Sequence, residues 1–76
     1  MERSLGLMAG AGTLPGRAAE EARRHGWHVV AFAFEEAPGL AESADHVIPS
    51  AITDIQAVLA GLAAQRVEAA VFVGKF

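Results

Sequence analysis

Three short stretches along the chain are almost purely apolar: Leu5 to Ala9, Val29 to Phe34 and Ala69 to Val73. None alternates cleanly with polar residues. Strands covered on both faces read this way, as in parallel sheets sandwiched between helices. Between the first two runs, Leu14, Ala18 and Ala22 recur at a spacing of four with Ala19 beside them, while Arg17, Glu20, Glu21, Arg23 and Arg24 fill the remaining positions. That pattern predicts an amphipathic helix. Thr13 is placed to cap it through its hydroxyl, Pro15 falls in the first turn where its missing donor costs little, and Gly26 after His25 is a natural stop. Strand, helix and strand within about 30 residues have the size of a βαβ unit.

Past Phe34 the pattern breaks. The segment EEAPGLAESAD reads as a surface loop with room for one short turn, and HVIP (46–49) as a brief edge strand that ends at Pro49. Thr53 with Gln56 three residues later has capping-box spacing, ahead of an apolar stripe of Ile52, Ile55, Val58, Leu59 and Leu62. Gly61 weakens that helix by up to about 1 kcal/mol relative to alanine. Gln65 to Glu68 lead into the last apolar run, in which Val71, Phe72 and Val73 read as a central strand. The expected fold is α/β: a Rossmann-like open parallel sheet with helices on both faces. Leu5–Ala9 and Ala69–Val73 are the inner neighbours, and Val29–Phe34 lies on the other side of the first strand.

Composition narrows the function. The chain has 76 residues, which makes it one domain, and its apolar fraction of 53% is that of a folded protein. Six basic and nine acidic residues give a net charge of −3, which argues against a nucleic-acid partner that would need a basic face. There is no cysteine, hence no disulfide framework, thiolate metal site or cysteine nucleophile. No run approaches the ~20 apolar residues of a membrane span and no signal peptide is apparent, so a cytoplasmic location is expected.

The chemistry concentrates in LGLMAGAGTLPG, residues 5–16, where the first strand runs into Gly10, Gly12 and Gly16 before the first helix. A tight strand-to-helix turn requires glycine's conformational freedom. The helix start beyond it offers unpaired N–H groups and a partial positive charge to an anion such as phosphate. The spacing is G-x-G-x-x-x-G, one residue longer than the dinucleotide fingerprint, and no G-K-[ST] follows, which excludes a P-loop. A tight turn without a ligand is the competing reading. Glu35 and Glu36 follow the second strand, where a dinucleotide binder keeps its ribose-binding acid, although a solvated acidic loop has the same pattern. Gly74 and Lys75, the only lysine, stand at the carboxyl end of the last strand, at the rim where open α/β sheets bind ligands. His25, His28 and His46 lack metal-ligand spacing, and no catalytic acid–base or nucleophile set can be placed.

Taken together, LGLMAGAGTLP near the amino end and VFVGK about 60 residues later resemble the amino-terminal domain of the LpxI-type UDP-2,3-diacylglucosamine diphosphatases. The likeness spans essentially the whole chain, with Ala11 where the family more often carries a third consecutive glycine. The resemblance implies a two-domain enzyme of lipid A biosynthesis, with magnesium as its usual ion. It hydrolyses UDP-2,3-diacylglucosamine to UMP and 2,3-diacylglucosamine 1-phosphate, in the cytoplasm or peripherally at the inner membrane. It further implies that residues 1–76 form the Rossmann-like amino-terminal domain. The catalytic and metal-binding acids would then come from a carboxyl-terminal domain beyond Phe76, and this segment alone would hold no magnesium. The substrate-facing positions are Gly10, Ala11, Gly12, Thr13, Gly74 and Lys75, and the expected partners are the UDP-linked acylated sugar, the carboxyl-terminal domain and a second copy in a homodimer. The alternative is a small Rossmann-like module that binds a nucleotide without hydrolysing it.

Overall fold

The computed structural model describes residues 3–64 and 67–76. The elements run β1 (Arg3–Ala9), α1 (Leu14–Arg24), β2 (Trp27–Ala33), α2 (Leu40–Ser43), β3 (His46–Pro49), α3 (Ile55–Ala64) and β4 (Ala69–Val73). The four strands form one parallel sheet in the order β3-β2-β1-β4. The chain moves outward from β1 through β2 to β3, then returns across the sheet to the other side of β1. Right-handed crossovers then put α1 and α2 on one face and α3 on the other.

The side-chain layers agree. Leu5, Leu7 and Ala9 of β1 join Val29 and Ala31 of β2, Ala19 of α1, Leu40 and Ala44 in one buried cluster. On the opposite face Met8, Val30 and Phe32 pack with Val58 and Leu62 of α3. Gly6 lies on that second face, where the space a Cβ would take is filled by the Leu62 side chain, so the missing side chain lets α3 settle directly onto β1. At the start of the sheet, Asp45 ties β2 to the first layer. Its carboxylate accepts the Val29 N–H at 2.7 Å and lies 3.6 Å from both Arg23 Nε and His28 Nδ1. The Arg3 guanidinium stacks 4.1 Å above the Trp27 ring.

Several local expectations are corrected. Thr13 occupies the cap position of α1 but has helical backbone angles (φ −90°, ψ −14°), and its side chain makes no capping bond. Ordinary cap geometry is extended, and without it the hydroxyl cannot turn back to the first amides. Thr53 does not open a capping box, because a 3₁₀ turn over Ile52–Asp54 feeds straight into α3 with no side-chain cap. Leu14 is 58% exposed instead of lying under the helix. β1 is an inner strand flanked by β2 and β4, but β4 is not central: among the described residues it forms an edge, with Val71 39% and Phe72 58% exposed. Gln65 of the connection to β4 lies outside the described residues.

Candidate functional site

The strand order reverses direction between β1 and β4, and the carboxyl ends of those two strands flank that switch point. In open α/β sheets the crevice outside such a point is where ligands bind. Here it is a cleft of about 370 Å³ lined by Ala11, Gly12, Thr13, Leu14, Gly74 and Lys75. Five of the six positions singled out in the sequence line it. The sixth, Gly10, lies just behind, buried where β1 ends.

The glycines have distinct jobs. A Cβ at Gly10 would stand 2.5 Å from the Lys75 carbonyl oxygen, and one at Gly74 would stand 2.9 Å from both the Ala11 oxygen and the Gly10 carbonyl carbon. Both are therefore glycine because the ends of β1 and β4 press backbone against backbone. Gly12, by contrast, faces open space and has φ +106°, a conformation that side-chain-bearing residues rarely adopt. Gly16 lets the start of α1 approach the Pro38–Gly39 backbone, where a Cβ would meet the Pro38 oxygen at 3.1 Å.

The hydrogen bonds show what the loop itself can offer. Ala11 and Lys75 form a two-bond antiparallel clasp, Ala11 N–H to the Lys75 carbonyl at 2.7 Å and Lys75 N–H to the Ala11 carbonyl at 3.1 Å. Gly10 N–H donates to the Val73 carbonyl at 2.8 Å and Gly12 N–H to the Glu36 carbonyl at 3.2 Å. The amides of Gly10, Ala11 and Gly12 are thus spent within the protein. Further along the loop, at the opening of α1, the N–H groups of Thr13, Leu14 and Gly16 have no partner among the described residues. An anion in the cleft would meet that helix start and the exposed Lys75, with the hydrogen-bonded first loop as its wall.

Glu35 and Glu36 are exposed in the loop after β2, and the second touches the site only through its backbone carbonyl. Among the described residues, no group of three or more His, Cys, Asp or Glu side chains comes together as a metal-binding set. The described residues therefore offer no ready carboxylate cluster for a metal ion beside the cleft. Sequence reading missed Leu14 as a lining residue of the cleft, and missed an aromatic row at the same end of the sheet. Phe76 stands 5.9 Å from Phe34 and 5.8 Å from Phe72, centroid to centroid. A signal for the row was present in Phe34, Phe72 and Phe76, which all fall at carboxyl ends of strands.

A family model described as the LpxI N-terminal domain matches residues 4–76. No curated protein and no solved structure matches the chain.

Proposed function

The chain belongs to the LpxI N-terminal domain family, and from that premise we propose that it is the ligand-lining half of a lipid A biosynthesis hydrolase. The proposed reaction is cleavage of UDP-2,3-diacylglucosamine to UMP and 2,3-diacylglucosamine 1-phosphate. The observation that carries this reading is the cleft at the β1–β4 switch point. Free amides at the start of an 11-residue helix and the single lysine border one concavity there. A helix start and a cation suit a diphosphate, whose charge both would offset.

The division of labour follows from what the rim lacks. Hydrolysing a diphosphate ester with a metal needs carboxylates to hold the ion and a positioned water. The acids among the described residues are dispersed over helix faces and loops. The proposed carboxyl-terminal domain supplies them, along with the magnesium, while this domain binds and orients the diphosphate. The proposed location is cytoplasmic, and no helix among the described residues is long and apolar enough to cross a membrane. The dispersal of acids also favours a second reading for the chain on its own, a Rossmann-like module that holds a nucleotide without hydrolysing it.

The test compares UMP release from UDP-2,3-diacylglucosamine, with magnesium, by the 76-residue chain and by a protein carrying both domains. Only the two-domain protein is expected to turn over. In it, Lys75→Ala should raise KM about tenfold, the scale of one charge-assisted contact, with an unchanged melting temperature because Lys75 is exposed. Gly12→Val should impair turnover more than folding. Comparable turnover by the 76-residue chain, or normal kinetics in both variants, would remove the reading.

A further inference from the structure

Toward the amino ends of the strands the second face opens into a groove of about 500 Å³. Parallel pairing sets Ser4 beside His28 and Val30 beside His46. Alternation along each strand then puts both imidazoles on the face that carries Val30. The fold thereby brings together two histidines that lie far apart in the chain. Their ring centroids are 5.3 Å apart, edge to face at 64°, and both line the groove with Ser4, Val30, Ile48 and Val67. His28 Nδ1 stands 3.6 Å from the Asp45 carboxylate, which itself accepts the Val29 N–H at 2.7 Å.

We propose that His28 and His46 form a binding site for a first-row divalent transition ion such as zinc. An imidazole bound through a ring nitrogen puts its centroid about 3.2 Å from zinc, so two at the tetrahedral angle stand about 5.2 Å apart. The observed separation of 5.3 Å matches that spacing. Imidazole suits ions of this kind, whereas magnesium takes oxygen ligands. Asp45 holds the outer place from which a carboxylate orients a metal-bound imidazole. Two protein ligands are fewer than a closed structural site carries, so water completes the shell from the open side of the groove. An ion there clips β3 to β2. Since β3 has only four residues and forms an edge among the described residues, the clip secures a short strand, and the bound ion stabilises the fold by mass action. The site lies at the amino end of the sheet and the cleft at the carboxyl end, so nothing in it depends on the hydrolase reading.

Calorimetric titration of the 76-residue chain with zinc chloride should show one ion bound per chain in the micromolar range, and zinc should raise the melting temperature. His28→Gln and His46→Gln should each abolish both effects. Asp45→Asn, which keeps an acceptor for the Val29 N–H, should weaken binding about tenfold. His25, paired with Glu21 on the outer side of α1, is the internal control, and His25→Gln should bind zinc as tightly as the parent chain. Substoichiometric copper(II) gives a readout that needs no substitution. In nuclear magnetic resonance spectra of the imidazoles, the His28 and His46 signals should broaden before those of His25. The copper result stands even if His28→Gln fails to fold. Absence of saturable zinc binding, binding that survives His46→Gln, loss of binding in His25→Gln, or copper broadening that begins at His25 would overturn the proposal.

Discussion

The two faces of this sheet are closed by different means. On the first, α1 and α2 cover Leu5, Leu7, Ala9, Val29 and Ala31, and small residues (Gly16, Ala18, Ala19 and Ala22) let α1 come close. On the second, the ten residues of α3 cover only the middle and carboxyl half. Toward the amino ends of the strands that face opens into a groove of about 500 Å³ lined by residues that include Ser4, His28, His46 and Ile48. The sealed face carries most of the burial that holds β1 between its neighbours, and the half-open face sets the outer surface. Burial, not hydrophobicity, separates them: Leu7 is wholly buried, whereas Leu59 on α3 remains 45% exposed.

Truncation on each face is the strongest way to break this contrast. Leu7→Ala empties a site with no exposure and should cost about 3 kcal/mol, a large share of the roughly 4–11 kcal/mol expected for a chain of this size. Leu62→Ala on α3, at 6% exposure beside the open groove, should cost about 2 kcal/mol, because a helix free on one side can relax into the space. Urea denaturation of the two variants measures the difference, and equal losses would erase the distinction between the faces.

Asp45 probes how the first face is tied to β2. Replacing it with alanine removes the acceptor at 2.7 Å from the Val29 N–H, at a residue with no exposure. The expected cost is about 1–2 kcal/mol. Asp45→Asn should recover most of it, since an amide oxygen can accept the same bond, and thermal melts of the pair would show whether the bond or the charge matters. The smallest effect is expected at Glu21 on the outer side of α1, where the bonds to Arg24 at 3.3 Å and His25 at 3.0 Å are solvent-exposed. Glu21→Ala should change stability by less than about 0.5 kcal/mol. A larger loss would mean that surface pairs contribute to holding α1 on the sheet.

The elements were legible where one local property decided them. Apolar runs marked β1, β2 and β4, Pro49 ended β3, and glycine after His25 ended α1. Handedness of the crossovers then set the strand order. The caps were not legible. Thr13 and Thr53 have the right side chains, but the neighbouring turn sets their backbone angles: a proline-bearing first turn in one case, a 3₁₀ entry in the other. The exposure of β4 depends on what neighbours it, which a run of apolar letters does not encode. At the site, the glycine-rich turn and Gly74–Lys75 could be located, but the reason for Gly10 and Gly74 could not. Their contact exists only once β1 and β4 are adjacent, a relation between residues at opposite ends of the chain.

The clasp between Ala11 and Lys75 also has a kinetic meaning. It joins the first loop to the end of the last strand, so nearly the whole chain must be looped before its two hydrogen bonds can form. Contacts of such wide separation are favoured only after the intervening entropy has been lost. The βαβ unit of β1, α1 and β2 can assemble from neighbouring residues, but the cleft cannot. It acquires its second wall only when β4 docks, so the cleft reports the docking of β4, and a nascent chain still lacking residues 69–76 would present the helix start without the cleft.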